Sequence, residues 1–244
     1  MNPTINLNDQ VLSVDFFYDF LQFLHYVDQK DCTRTATGNI SRKSIDELSH
    51  VFRNGKQLQF MDEEMKWKVR SENECYYLNQ IRITAEAMSC IHKRKNKFFL
   101  SKNGNAYLSN LEPFQQYEHM VLWFWHRVNW EYFSPGKMTS VLQKNQTFIW
   151  NYLLQKSEEW INFPVSCQSL KTYFHQEDTY NQSYDPDHRL HLDIQYGLLE
   201  RNLKRFGCIE ADYLKSDNKW DRKLIRFRST KLGLNLYAKG IQPF

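Results

Sequence analysis

Two pairs of matching segments constrain the fold of this 244-residue chain more than any other feature. Residues 40–45 (ISRKSI) match residues 165–170 (VSCQSL) at an offset of 125, since both read apolar, Ser, two polar residues, Ser, apolar. Residues 101–104 (SKNG) match residues 230–233 (TKLG) at an offset of 129. Similar segments at nearly the same offset indicate a repeated unit, and half of this chain is long enough to bury a core of its own.

The surroundings of the second match repeat as well. Each copy follows an apolar, strand-like segment, and further apolar residues come after it. A small residue, Cys and Ile precede that strand in both halves, as Ser89-Cys90-Ile91 and Gly207-Cys208-Ile209. In the first match, Ser41 and Ser166 stand directly before amphipathic runs, where a Ser hydroxyl accepts a hydrogen bond from a free backbone N–H. We therefore expect both serines to be helix N-caps.

Hydrophobic spacing assigns the same order of elements to both halves. In the first half, four apolar residues from Val14 to Leu24 recur at helical spacing. In the second half, Ile225 and Phe227 alternate with arginines, as in a half-buried strand. The expected fold class is mainly α with two small antiparallel β hairpins, or wings. The first half is predicted to hold helices over 14–29, 41–52 and 74–89, an extended piece over 33–37 and a hairpin over 92–97; the second half is predicted to hold helices over 139–161, 166–175 and 188–205 and a hairpin over 209–228.

This order of elements, together with two short motifs, resembles a known fold. The motifs are residues 35–43 (TATGNISRK) and residues 100–104 (LSKNG). With them the chain resembles the winged-helix DNA-binding domains of bacterial regulators twice over, and more narrowly the tandem winged-helix segment of plasmid Orf-3-like bacterial proteins of unsettled function. The resemblance covers residues 33–237 and implies two winged-helix-like units without catalytic residues. We accordingly expect a first unit over 1–111, a connecting helix over 112–134 and a second unit over 135–244.

The expected connecting helix is unusually aromatic. Apolar residues recur every three or four positions from Phe114 to Tyr132, and Trp123, Trp125 and Trp130 lie off that stripe. A helix that is apolar nearly all round is either buried between the two halves or exposes an aromatic patch that docks a second subunit or a protein partner. Ser134-Pro135-Gly136 is expected to end it.

Basic residues cluster where a winged helix would contact DNA, although the net charge is only +4. The first predicted wing carries four cations with no acid between them. In the second half, residues 189–231 hold eleven Lys and Arg against six Asp and Glu. The predicted DNA-contacting residues are Lys93, Arg94, Lys95 and Lys97 of the first wing, Arg201, Lys204 and Arg205 of the second half's third helix, and Arg226 and Arg228 of its wing strand. The alternative is a solvated hairpin tip and an ordinary polar helix face.

The third helix of the first half offers less to DNA. Its expected outer face places Ile83 and Glu86 beside Asn79 and Arg82, so an apolar residue and an acid stand where phosphate or base edges would lie. We interpret that helix as structural.

Catalytic and metal signatures are weak. The five cysteines form no CxxC pair and are typical of reduced thiols in a cytosol. His188 and His191 stand three residues apart behind Asp185 and Asp187, which allows a metal site, but an Asp before a helix is also a routine cap. The sequence has no glycine-rich phosphate loop, GxSxG elbow or HExxH motif. We expect no enzyme activity and no cofactor or metal.

The sequence thus predicts a cytoplasmic DNA-binding regulatory protein that uses its second winged helix and both basic wings. No signal peptide is visible at the start, and the longest apolar run is far too short to span a bilayer. Double-stranded DNA is the expected partner. The alternative is a winged-helix module that binds a protein partner, or itself, through the helix at 112–133, since fold alone does not decide between these functions.

Overall fold

The computed structural model describes residues 6–62, 65–133, 139–174, 190–214 and 223–242. Over these ranges the chain is mainly helical with small antiparallel sheets, which confirms the expected fold class at that level. It divides into two units, Met1–Val128 and Asn129–Phe244.

The first unit alternates helices with two short hairpins. Its helices are α1 (Leu7–Leu12), α2 (Asp15–Gln29), α3 (Arg42–Ser49), α4 (Lys56–Gln59), α5 (Tyr76–Ala87), α6 (Lys102–Asn110) and α7 (Pro113–Arg127), with a 3₁₀ turn at Glu72–Glu74. Its strands are β1 (Phe60–Asp62), β2 (Trp67–Lys68), β3 (Ile91–Arg94) and β4 (Lys97–Leu100). β1 pairs with β2 and β3 pairs with β4, both antiparallel, and Thr33 bridges to Lys97 of β4.

The second unit has one three-stranded sheet. Its helices are α8 (Thr139–Lys144), α9 (Gln146–Lys156), α10 (Phe163–Phe174), α11 (Asp193–Lys204, wound with π-helical turns) and α12 (Lys231–Gly240), with a 3₁₀ turn at Trp130–Phe133. Its strands are β5 (Ile161–Asn162), β6 (Ile209–Tyr213) and β7 (Leu224–Ser229), in the spatial order β5-β7-β6 and antiparallel throughout.

Aromatic side chains form the cores of both units. In the second unit, Trp150 of α9 stacks on Tyr237 of α12 with ring centroids 5.2 Å apart. In the first unit, α7 packs on α1 and α5, so the helix expected to connect the halves belongs to the first unit. The aromatic residues of α2 that are buried completely or nearly so are Phe16, Phe17, Phe20 and Phe23.

The second sequence match is reproduced down to single hydrogen bonds. Ser101 caps α6, since its Oγ accepts from the Gly104 backbone N–H at 2.9 Å, and Thr230 caps α12 by accepting from the Gly233 N–H at 3.0 Å. Each hydroxyl also donates to a carbonyl at the preceding turn, Ser101 to Ser89 and Thr230 to Gly207. The SKNG and TKLG segments therefore begin a helix behind each hairpin, which the sequence analysis did not predict.

The glycines of these caps are required by a close backbone approach. A Cβ on Gly104 would lie 2.2 Å from the carbonyl oxygen of Cys90, and one on Gly233 would lie 2.2 Å from that of Cys208. The same two carbonyls accept from the Ser101 and Thr230 backbone N–H groups. Both halves thus bring the start of a helix against the start of β3 or β6 in one geometry.

The first match is reproduced less faithfully. Ser41 is the N-cap of α3, as predicted, because its Oγ accepts from the Ser44 N–H. The prediction for Ser166 is wrong: α10 begins at Phe163, and the Ser166 hydroxyl donates to the Phe163 carbonyl within the helix. Asn162 accepts from the Val165 N–H instead. An Asn ahead of a proline in the first helical turn is a strong start signal, and it comes earlier in the chain.

Two other predicted helices have different bounds. The helix expected over 139–161 is α8 and α9, which meet at Asn145, whose side-chain amide donates to the Val141 carbonyl. α9 ends at Lys156 because Ser157 takes a left-handed backbone (φ 52°). The helix expected over 112–133 ends at Arg127, since Val128 is extended. The helix expected over 188–205 is described from residue 190 onward, and His175 lies outside the described residues.

Candidate nucleic-acid interface

The hairpin of β3 and β4 forms the first wing as predicted. Arg94 pairs with Lys97, so Lys95 and Asn96 make a two-residue turn in which Lys95 has a left-handed backbone (φ 51°). Arg34 braces this turn: its backbone N–H donates to Asn96 at 2.7 Å and its guanidinium donates to the Lys95 carbonyl at 3.3 Å. The cations of the wing are therefore carried on a fixed hairpin, and Arg34 is a supporting residue that the sequence analysis missed.

The four wing cations fall into two classes. Arg94 and Lys95 are exposed, and their side chains contact no partner among the residues that the structure describes. Lys93 pairs with Glu86 (Nζ to Oε2, 2.9 Å), and Lys97 pairs with Asp31 (Nζ to Oδ1, 2.6 Å). The wing has no acid of its own, but acids from elsewhere in the first unit hold two of its lysines.

A buried ion network of the first unit reaches Lys93 of the wing through Glu86. The Glu72 carboxylate is fully buried and accepts from the Arg82 guanidinium, the Asn79 amide and the Ile40 backbone N–H. Arg82 also donates to Glu86 at 2.7 Å. The prediction that places Arg82 on the outer face of its helix is therefore wrong, because two carboxylates draw the guanidinium inward. The network supports the structural interpretation of α5.

The two arginines of the second wing strand are balanced by acids. Arg226 donates to Asp212 at 2.7 Å, and Arg228 makes two hydrogen bonds to Glu210 at 2.9 and 2.7 Å. Both guanidinium groups also lie over the ring of Trp160, at 4.5 and 4.8 Å from its centroid. This outer face of the sheet is a paired, stacked surface with little unbalanced charge.

The basic residues of α11 are engaged within the second unit. Arg201 donates to the Phe133 carbonyl at 2.7 Å. Lys204 donates to the Tyr213 hydroxyl at 2.9 Å, and its ammonium lies 4.4 Å from the centre of that ring. Arg205 is the C-cap residue of α11 and is half-buried. Of the nine predicted contact residues, Arg94 and Lys95 remain as exposed cations without such a contact.

The second wing and the histidine cluster are described only in part. The second hairpin runs to the hydrogen bond between the Leu214 N–H and the Lys223 carbonyl, and residues 215–222 lie outside the described ranges. So do His188, Asp185 and Asp187, whereas His191 packs edge-on against Phe163. Among the described residues, no three His, Cys, Asp or Glu side chains are grouped to hold a metal ion.

The cysteines offer no accessible nucleophile. All five are buried. Burial is the main cause that raises the pKa of Cys32, Cys90 and Cys167 to about 12, far from the thiolate form that attacks substrates or binds metals.

The aromatic helix does not present a large surface. Trp125 of α7 and Trp130 just beyond it are buried, Trp123 is half-buried, and Tyr132 is the large exposed side chain of this stretch. The protein-interaction alternative therefore loses most of the patch on which it was based.

No helix in the described ranges has the length and apolar character needed to cross a membrane.

Comparisons with known proteins supply no relative. The chain matches no family model, no curated protein and no solved structure, so its function has to be inferred from the arrangement of its own residues.

Proposed function

We propose that this chain is a DNA-binding protein with two winged-helix-like units, and that its first wing contacts the phosphate backbone of duplex DNA. The observation that carries the proposal is the pair Arg94 and Lys95, exposed and without partners among the described residues at the tip of a braced hairpin. No Asp or Glu occurs in the sequence between Glu86 and Glu112, so every charged side chain of that segment is a cation.

The order of elements supports a winged-helix interpretation of each unit. In the second unit, α9, β5, α10, α11, β6 and β7 follow one another, and β5 joins the sheet beside β7. In the first unit, α2, the Thr33 bridge, α3, α5, β3 and β4 follow the same order, and Thr33 likewise joins beside the returning strand. In the first unit, an insertion with α4 and the β1–β2 hairpin separates α3 from α5; the corresponding residues 175–189 of the second unit lie outside the described ranges.

Among the residues that the structure describes, the distribution of unpaired cations favours the first wing over the second unit as the main contact with DNA. A Lys or Arg that neutralises a phosphate releases the counterions condensed on DNA, and this drives sequence-independent binding. When Arg94 and Lys95 bind phosphates, they break no ion pair with another described residue. Arg226 and Arg228 would have to leave their carboxylates, and Arg201 donates to its own chain. We therefore expect binding to the phosphate backbone of DNA with a weak preference for sequence. A regulatory role is supported by the resemblance alone.

Titration of the purified chain against a random duplex, followed by fluorescence anisotropy at several salt concentrations, tests the proposal. We expect R94A/K95A to reduce the slope of log affinity against log salt by about 1.8, because each phosphate contact contributes about 0.9. The matched control is K68A/R70A, which removes two exposed cations of the first unit away from the wing. Absence of binding by the unmodified chain at low salt, or equal losses in both double variants, would refute the proposal.

A further inference from the structure

The Asp31 carboxylate lies against Lys97, next to the turn of the first wing. Asp31 follows the end of α2 and stands two residues before the Thr33 bridge, and its Oδ1 is 2.6 Å from the Lys97 ammonium. Its side chain is 75% exposed and that of Lys97 is 38% exposed, so water reaches the pair. An anion from solution has access to the same place.

A second ammonium group is near the same carboxylate, since Lys43 and Asp31 line one open cavity of the first unit. Lys43 lies in the first turn of α3, is 81% exposed and contacts Glu47 only loosely, at 3.8 Å. Lys97, first by its hydrogen bond and charge, and Lys43, by charge, hold the pKa of Asp31 below its ordinary value. One singly charged carboxylate thus lies in the field of two lysines that belong to different elements, β4 and α3.

A phosphodiester carries the same single negative charge and the same kind of acceptor oxygen as a carboxylate. We propose that Lys97 and Lys43 form a phosphate subsite beside the first wing, and that the Asp31 carboxylate occupies this subsite in the free protein. The inference rests on the proposed DNA binding and extends it, because Lys43 becomes a contact residue and Asp31 an internal competitor of the DNA.

The other ion pair of the wing does not have this character. Glu86 is half-buried and is held by Arg82 as well as by Lys93, so its carboxylate is fixed by the network of α5. Asp31 has no second hydrogen-bonding partner of that kind among the described residues. Exposed ion pairs contribute little to stability because water screens them, so a phosphate can displace this one.

Removal of the competing carboxylate should strengthen binding to DNA. In the anisotropy titration with random duplex at low salt, we expect D31N to bind about two- to fivefold more tightly than the unmodified chain, as the loss of a weak ion-pair competitor implies. The matched control is D28N, which removes the same charge from an exposed position near the end of α2 without touching Lys97. The gain of D31N over D28N should disappear in a K43A/K97A background.

Each outcome has one interpretation. A gain specific to D31N that depends on the two lysines supports the subsite. Equal gains in D31N and D28N, or a gain that persists without both lysines, would mean that overall charge alone is responsible and would overturn it. If the unmodified chain fails to bind the duplex at low salt, the proposed function itself fails, which is a separate result.

Discussion

His119 of α7 is an exposed histidine whose ring contacts two aromatic rings. Tyr107 meets it edge-on, and Trp123 stacks on it with centroids 5.8 Å apart. Burial lowers the pKa of His119, and the neighbouring Glu118 opposes this only in part. Folding of the first unit therefore favours the neutral form of this ring over the protonated form.

The stability of the protein should consequently depend on pH through His119. Because the unfolded chain binds the proton more readily, the stabilising contribution is present above the ordinary histidine pKa of about 6.5 and is lost as the pH falls through the lowered value. The free energy of unfolding, measured with urea, should fall between about pH 7.5 and about pH 5.5. This fall should be smaller in H119F than in the unmodified chain. His126, whose pKa is lowered mainly by burial and also by Arg127, keeps part of the dependence in both. An unchanged loss in H119F would exclude His119 as a source.

At the scale of elements, the two caps behind the wings are the most closely repeated part of the molecule. Ser101 and Thr230 each accept from the N–H of a glycine three residues on and donate to a carbonyl before the hairpin. One hydroxyl therefore joins the start of a helix to the turn that precedes β3 or β6.

Removal of either hydroxyl should lower the free energy of unfolding by the same amount. We expect S101A and T230A each to lower the free energy of unfolding by about 1 kcal/mol, the usual loss for an N-cap, and T230S to restore most of it. Denaturant titration measures the change. S109A is the control, because Ser109 is exposed and donates only within α6. A cost in one half alone would contradict the equivalence of the two closures.

Local signals were sufficient to predict most elements. The spacing of apolar residues placed α2, α3, α5 and the first hairpin, because periodicity and capping depend on near neighbours in the chain. The prediction of Ser166 as an N-cap was wrong because a second capping residue, Asn162, lies four positions earlier. The insertion between α3 and α5 has no strong periodicity and received no assignment.

The candidate site was harder to predict than the elements. The sequence shows which residues are cationic, but Lys97 meets Asp31 and Arg201 meets Phe133 across more than sixty positions. Such partners depend on tertiary packing, and they decide which cations remain available to DNA. The clustering of Arg94 and Lys95 was visible in the sequence, whereas the absence of a side-chain partner for them among the described residues was not.

At the scale of the whole molecule, the cysteines are distributed over both units and none reaches the surface. The thiolate is the form that reacts, and burial suppresses it. We expect the native chain to react slowly with an aromatic disulfide reagent at about pH 8, and the urea-unfolded chain to yield all five thiols at once. Absorbance of the released thiolate follows the reaction. A thiol that reacts rapidly in the native chain would show that the core around it opens.

The inward position of Arg82 has a consequence for how DNA would be discriminated under the proposed function. With its guanidinium held by Glu72 and Glu86, α5 cannot offer that arginine to a guanine edge in the major groove. A protein that binds phosphates through Arg94 and Lys95 recognises the geometry of the DNA backbone. Preference for one duplex over another would then arise from the energy needed to bend it or to change its groove width, so flexible pyrimidine–purine steps would be favoured.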